Sequence, residues 1–254
     1  MKTISVLMCG IVAMSLVSAA VWAQENAPPE PPRRAIAQWD KVTITVEQKI
    51  GANLAILHGN PGVDTNHPDA SGGRVAVLYG PDGVLMVDDN NIEVHDKLLA
   101  AVRSLSTAPI KLLINSHAHS DHTGGNAFFA RQGAVIMAQQ NLRDELMPNP
   151  DAPLPMPLDP VSLPVVTYNY DPATKGKPAV VIHMNGETVD VIPMMPSHMG
   201  GDSIVKFEKA NVIYIEDFYR NFGYPFADQA NGGSINGMFD AIDLMSNCPT
   251  TILC

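Results

Sequence analysis

Basic residues are scarce in this chain: 16 lysines and arginines face 26 aspartates and glutamates, giving a formal charge of −10. Phosphate binding rests on clustered Lys and Arg, so a nucleic-acid partner is excluded. Cysteine is scarcer still, with three in 254 residues. Cys9 lies near the start, and Cys248 and Cys254 alone cannot build a disulfide framework. Those two either pair with each other or remain thiols, and a bridge closing so short a terminal loop would constrain little. Charged residues make up only 17% of the chain while 46% is apolar, which excludes disorder and suffices for one good-sized core. No repeat recurs at a fixed period.

Long hydrophobic runs are missing except at the start. Residues 1–23, "MKTISVLMCGIVAMSLVSAAVWA", hold one lysine, an uncharged apolar run, and Val21 and Ala23 at signal-peptidase spacing. They read as a cleaved secretory signal, so the protein is expected to be exported, periplasmic or secreted, with no stable membrane insertion after cleavage. Residues 24–34, "QENAPPEPPRR", are polar and Pro-rich and read as a tether. Residues 35–254 are read as one domain.

From Lys41 the pattern is of short strands, "KVTITVEQKI", "ANLAIL", "RVAVLYG" and "GVLMVDD", separated by Gly, Pro and Asn clusters. A 16-residue polar loop from His58 interrupts them, and His58 and His67 read as solvated. Ile92, Leu98, Leu99, Val102 and Leu105 recur at helical spacing, with His95 on the outer face. Strand "IKLLIN", a helix through "NAFFARQ", strand "AVIMA" and helix "QNLRDELM" follow, which signals an α/β layer. Seven prolines between Pro148 and Pro164 exclude regular structure and predict an extended surface loop. "AVVIHM", "ETVDVIPM", "SIVKFE" and "NVIYIED" then read as strands, and "SINGMFDAIDLMSN" as a last helix.

Histidine is not abundant either, yet three of the eight fall in the six residues "HAHSDH", 117–122. In extended or turning backbone, side chains two apart point the same way, so His117 and His119 can grip one cation while Asp121 and His122 face a neighbouring position. Imidazole and carboxylate without thiolate suit zinc first, with iron or manganese as alternatives. Structural zinc sites favour closed, Cys-rich tetrahedra, whereas His and Asp ligands leave room for water and point to catalysis.

"HAHSDHTGG", set after a strand and before a helix, resembles the HxHxDH signature of the metallo-β-lactamase superfamily. The resemblance extends to "LMVDD", to "MPSHMGGDS" around His198, and to "NVIYIEDFYRNFGYPFAD". It implies a four-layer αβ/βα sandwich. It also implies zinc, two ions per chain, with His117, His119 and His198 on the first and Asp121 and His122 on the second, Asp217 lying between. The implied activity is hydrolysis of a small-molecule, carbonyl-type substrate (β-lactam, lactone, thioester or similar ester) by a metal-bound hydroxide that Asp121 orients and deprotonates. Asp88, ending "GVLMVDD", would either orient a ligand imidazole or cap the strand.

Members of that family continue past the last helix into a strand, a histidine that completes the second metal site, and a closing helix. Here "CPTTILC" follows "DAIDLMSN", with no histidine beyond His198. The sandwich therefore reads as lacking its last strand and helix, and a second reading stands: a non-catalytic remnant binding one metal or none. Glu216 replaces the glycine usual before the bridging aspartate, and Met199 a common threonine.

Overall fold

The alternation of strand and helix signals resolves into two stacked sheets. The computed structural model describes residues 38–62, 71–148, 159–220, 224–247 and 251–253. The segments read as signal and tether, His67, Cys9, Cys248, Cys254 and most of the polar and Pro-rich loops lie outside the described residues.

Seven strands form the first sheet: β1 (Thr43–Ile50), β2 (Leu54–Asn60), β3 (Val75–Gly80), β4 (Gly83–Val87), β5 (Ile110–Ile114), β6 (Val135–Gln139) and β7 (Val166–Tyr168). The first four pair antiparallel, through short turns between β1 and β2 and between β3 and β4 and through the long polar loop between β2 and β3. From β4 to β7 the pairing is parallel, because helices α1 (His95–Leu105), α2 (Ser120–Thr123), α3 (Asn126–Arg131) and α4 (Gln140–Leu146) carry the chain back between strands. The second sheet runs β12-β11-β10-β9-β8, from β8 (Val180–Met184), β9 (Glu187–Pro193), β10 (Ser203–Phe207), β11 (Val212–Tyr214) and β12 (Thr251–Leu253).

Strand β4 shows how the layers arise. All five of its residues are buried, and its alternate side chains serve opposite faces. Leu85 and Val87 join Ile56, Leu78, Val189, Val205 and Phe207 between the sheets. Val84 and Met86 pack with Leu98 and Val102 of α1 and with Phe129 of α3. The outer face of the second sheet is covered in turn by α5 (Ile235–Ser246), whose Met238, Ala241 and Met245 meet Ile192, Ile204 and Ile213. The order is helix, sheet, sheet, helix, as the resemblance implies. Residues Ala37–Cys254 form one compact unit.

Three expectations are corrected. The stretch after α5 is not strandless: β12 pairs parallel with β11, Ile252 opposite Ile213. Ile92 is not on the buried face of α1; it sits in a 3-10 turn ahead of the helix and is 48% exposed, since helical periodicity does not reach it. His58 is half-buried within β2, opposite Thr45, because the strand runs on to Asn60. Strand β7, beside β6, carried too short an apolar pattern to stand out. Among the described residues, no helix is long and apolar enough to cross a membrane.

Candidate metal centre

The chemistry gathers at the carboxyl ends of β4, β5 and β11 and at the β9–β10 turn, where an α/β sheet leaves a crevice. After β5 the chain turns through residues 115–119, with His119 as the extended residue capping α2. The His119 carbonyl accepts the His122 and Thr123 N–H groups at 3.0 and 3.1 Å. This tight reversal brings His117 and His122 to 3.9 Å between ring centroids. His198 arrives from the β9–β10 turn, and Asp217 from a 3-10 turn just past β11.

Three imidazole nitrogens converge. His119 Nδ1 lies 3.1 Å from His117 Nε2 and 3.1 Å from His198 Nε2. Zinc–nitrogen bonds of about 2.0–2.1 Å at a tetrahedral angle would put such nitrogens about 3.3 Å apart. With an Asp217 oxygen, ligand atoms of the four residues lie within 4.8 Å of one another.

The other nitrogen of each ring is tied to an acceptor, which turns a lone pair toward the shared point. His198 Nδ1–H donates to the Phe226 carbonyl at 2.8 Å. His119 Nε2–H donates to Asp228 Oδ2 at 3.0 Å. Ser116 Oγ gives its proton to Asp88 Oδ2 at 2.6 Å and so accepts from His117 Nδ1 at 3.2 Å. Burial holds His117 well below the ordinary imidazole range, reinforced by His122 against the opposing pull of Asp217. Burial also lowers His198. Neutral imidazoles with fixed lone pairs suit a metal ion.

The second position is looser. His122 Nε2 lies 3.8 Å from Asp121 Oδ2 and 3.7 Å from Asp217 Oδ1. Asp217 Oδ2 lies 3.6 Å from His198 Nε2, so this carboxylate stands between the two positions. Burial works against a charged His122, but Asp121, Asp88 and Asp217 outweigh it and hold its pKa well above the usual value. Burial likewise opposes a charged Asp217, yet the surrounding histidines, His122 foremost, keep it well below the carboxylate range.

Asp88 does more than end a strand. Fully buried, it accepts from Ser116 N–H at 2.7 Å, Ser116 Oγ and His122 Nδ1–H at 2.8 Å, and its Oδ2 shares the single Tyr214 O–H, at 2.8 Å, with the Arg74 carbonyl at 2.6 Å. Its φ of 63° is a left-handed conformation that aspartate tolerates and β-branched residues do not. Gly73 backs the same histidine: a Cβ there would sit 2.4 Å from His122 Cε1, so no side chain fits.

Nothing local in the sequence marks Asp228, Phe226, Ser116 or Tyr214 as part of the centre. Asp228 stands before "QANGG", a turn-forming stretch whose Asn231 also donates to Asp228 Oδ2 at 2.7 Å. That composition was the signal available, but nothing in it points to His119, 109 residues away. Met199, buried, donates its N–H to both oxygens of Asp202, at 2.9 and 3.0 Å, which shapes the His198 turn.

Behind that turn lies Glu145 of α4. Burial raises its pKa from 4.5 to about 7, the Gly200 N–H opposing and Asp228 and Asp144 adding to the rise. The folded chain then keeps a proton that the unfolded chain loses, so this contribution to stability is full below pH 4.5 and is lost as pH rises to about 7. Urea unfolding of Glu145→Gln and the parent at pH 5 and pH 8 is expected to show a smaller fall with pH in the variant. Equal falls would refute it.

A family model described as the metallo-beta-lactamase superfamily matches residues 61–192. Similar solved structures include a metallo-beta-lactamase from Pontibacter korlensis, 16% identical, with a TM-score of 0.65 over 83% of this chain and 90% of that one. Metallo-beta-lactamase IND-7 is 18% identical, with a TM-score of 0.62 over 83% and 88%. That of Hirschia baltica is 16% identical, with a TM-score of 0.59 over 83% and 89%. A linear primary-alkylsulfatase from Pseudomonas sp. (strain ATCC 19151) is 31% identical over 78 residues, 28% of this chain, which spans 15% of that relative's length.

Proposed function

Because the chain belongs to the metallo-beta-lactamase superfamily, we propose that it is a zinc-dependent hydrolase whose ion is held by His117, His119 and His198. The observation that carries this reading is the convergence of three imidazole nitrogens at 3.1 Å, each ring fixed from behind by an acceptor. The nitrogen-rich donor set fits zinc, which would supply Lewis acidity and bring the pKa of a water toward neutrality.

The chain's own residues divide the remaining work. Asp121, its side chain 39% exposed at the mouth of the centre, orients the attacking water and takes its proton. Asp217 balances the positive charge that His122 holds beside it. Asp88, Asp228 and the Phe226 carbonyl act as positioning groups that fix ring orientation.

We assign the substrate to small carbonyl compounds: β-lactams, lactones, thioesters and similar esters. The partial likeness to an alkylsulfatase adds sulfate esters as a second class to be tried. From the secretory pattern of residues 1–23 we also propose that the mature protein is exported. A panel of these substrates, assayed on periplasmic and cytoplasmic fractions with added zinc, with and without a chelator, tests the whole reading. Turnover is expected in the exported fraction, falling at least about a hundredfold on chelation and returning with zinc. Chelator-resistant turnover would overturn the metal dependence. No turnover on any member, with metal bound, would favour the non-catalytic remnant.

A further inference from the structure

Arg220 has no part in the roles described so far, yet it touches the centre. Three residues past Asp217, its Nη2 donates to Asp217 Oδ2 at 2.8 Å. That is the oxygen facing His198 Nε2. On its other side the guanidinium carbon lies 4.5 Å from the centroid of the Phe226 ring. Phe226 borders His198 and His119, at 5.1 and 6.3 Å between centroids, and its carbonyl takes the His198 proton. The arginine side chain is 19% exposed. A charge that proteins do not remove is thus held against the metal position by a carboxylate and an aromatic face.

We propose that Arg220 supplies the fixed positive charge that stands in for a second metal ion, so that the chain holds a single metal ion, at His117, His119 and His198. The inference rests on the metal-centre reading above. A second cation beside the first would need Asp217 together with Asp121 and His122. Asp217, however, already spends one oxygen on a charge-assisted bond. A dication drawn to the other oxygen would meet the fixed guanidinium across a single carboxylate, and like charges at that range repel. Ion pairing that served only to fasten the 217–226 segment would not need the donor aimed at the oxygen that faces His198. Arg220 is in this view a positioning residue: it sets the charge and orientation of Asp217 and, through Phe226, of His198.

The test is the metal content of the full purified chain after saturation with zinc and removal of the excess, with cobalt spectra in parallel. The parent and Arg220→Lys are expected to retain about one ion per chain, and Arg220→Met about two, with a second set of cobalt bands. Arg220→Gln serves as an equivalent neutral variant should Arg220→Met fold poorly. Two ions in the parent, or one in both neutral variants, would overturn the role of Arg220. A parent that retains none would instead overturn the metal centre itself.

Discussion

His119→Ala is expected to empty the centre of metal and to lower chelator-sensitive hydrolysis by more than about a hundredfold, with the far-ultraviolet circular dichroism unchanged. Of the three convergent nitrogens, His119 Nδ1 is the one at 3.1 Å from both others, so its loss leaves two ligands that do not face each other through a common neighbour. The fold should tolerate the change. The His119 backbone carbonyl, which closes the turn into α2, remains, and the side chain is 26% exposed and packs little core. Asp228 loses one donor but keeps Asn231. Metal analysis separates this outcome from misfolding, and undiminished turnover in a metal-free variant would refute the ligand assignment.

The second large effect is expected at Asp88, where chemistry and stability coincide. Asp88→Ala removes the acceptor from Ser116 N–H, Ser116 Oγ and His122 Nδ1–H at once, all in a buried setting, while the Tyr214 O–H keeps the Arg74 carbonyl at 2.6 Å. Each orphaned buried donor costs about 1–3 kcal/mol, so with three of them orphaned the unfolding free energy should fall by at least about 3 kcal/mol. The positive φ of 63° adds to the penalty for alanine. Asp88→Asn is the informative companion. It tolerates the left-handed backbone and keeps the shape, but its amide must turn one N–H₂ toward groups that are donors themselves. It should cost less stability than alanine while still weakening metal binding about ten- to a hundredfold. Urea midpoints and metal affinity, measured on both variants, check this. An Asp88→Ala variant as stable as the parent would show that the bonds from Ser116 and His122 are not maintained in solution.

Much of this was legible in the residues because period and composition act locally. The alternation in "RVAVLYG" and the apolar run in "GVLMVDD" marked β3 and β4, and helical spacing marked Leu98 and Val102 on α1. His117, His119 and His122 were visible because one short turn delivers them all. His198 was ordinary by itself and gained meaning only beside that motif. What stayed hidden depends on distance along the chain. Asp228 reaches His119 from an irregular loop with no period, and Tyr214 reads as one more strand aromatic until its hydroxyl is seen to meet Asp88 from the opposite sheet. Strand β12 escaped notice because three residues carry too little pattern to separate a strand from a tail. The Gly237 position in α5 was equally silent. It lets the helix approach the Pro196 carbonyl so closely that a Cβ would stand 1.8 Å from the oxygen, and this sets the height of the His198 turn.

The bond from Tyr214 to Asp88 joins β11 of one sheet to the end of β4 in the other, directly beneath His122. The residues gathered at the candidate centre likewise come from both halves, His117 and His119 from the first and His198 and Asp217 from the second. An ion held there as proposed would tie the halves together, and its release is expected to require parting of the sheets. The off-rate of the metal becomes a clock for that rare opening, readable alongside amide exchange in β4 and β11.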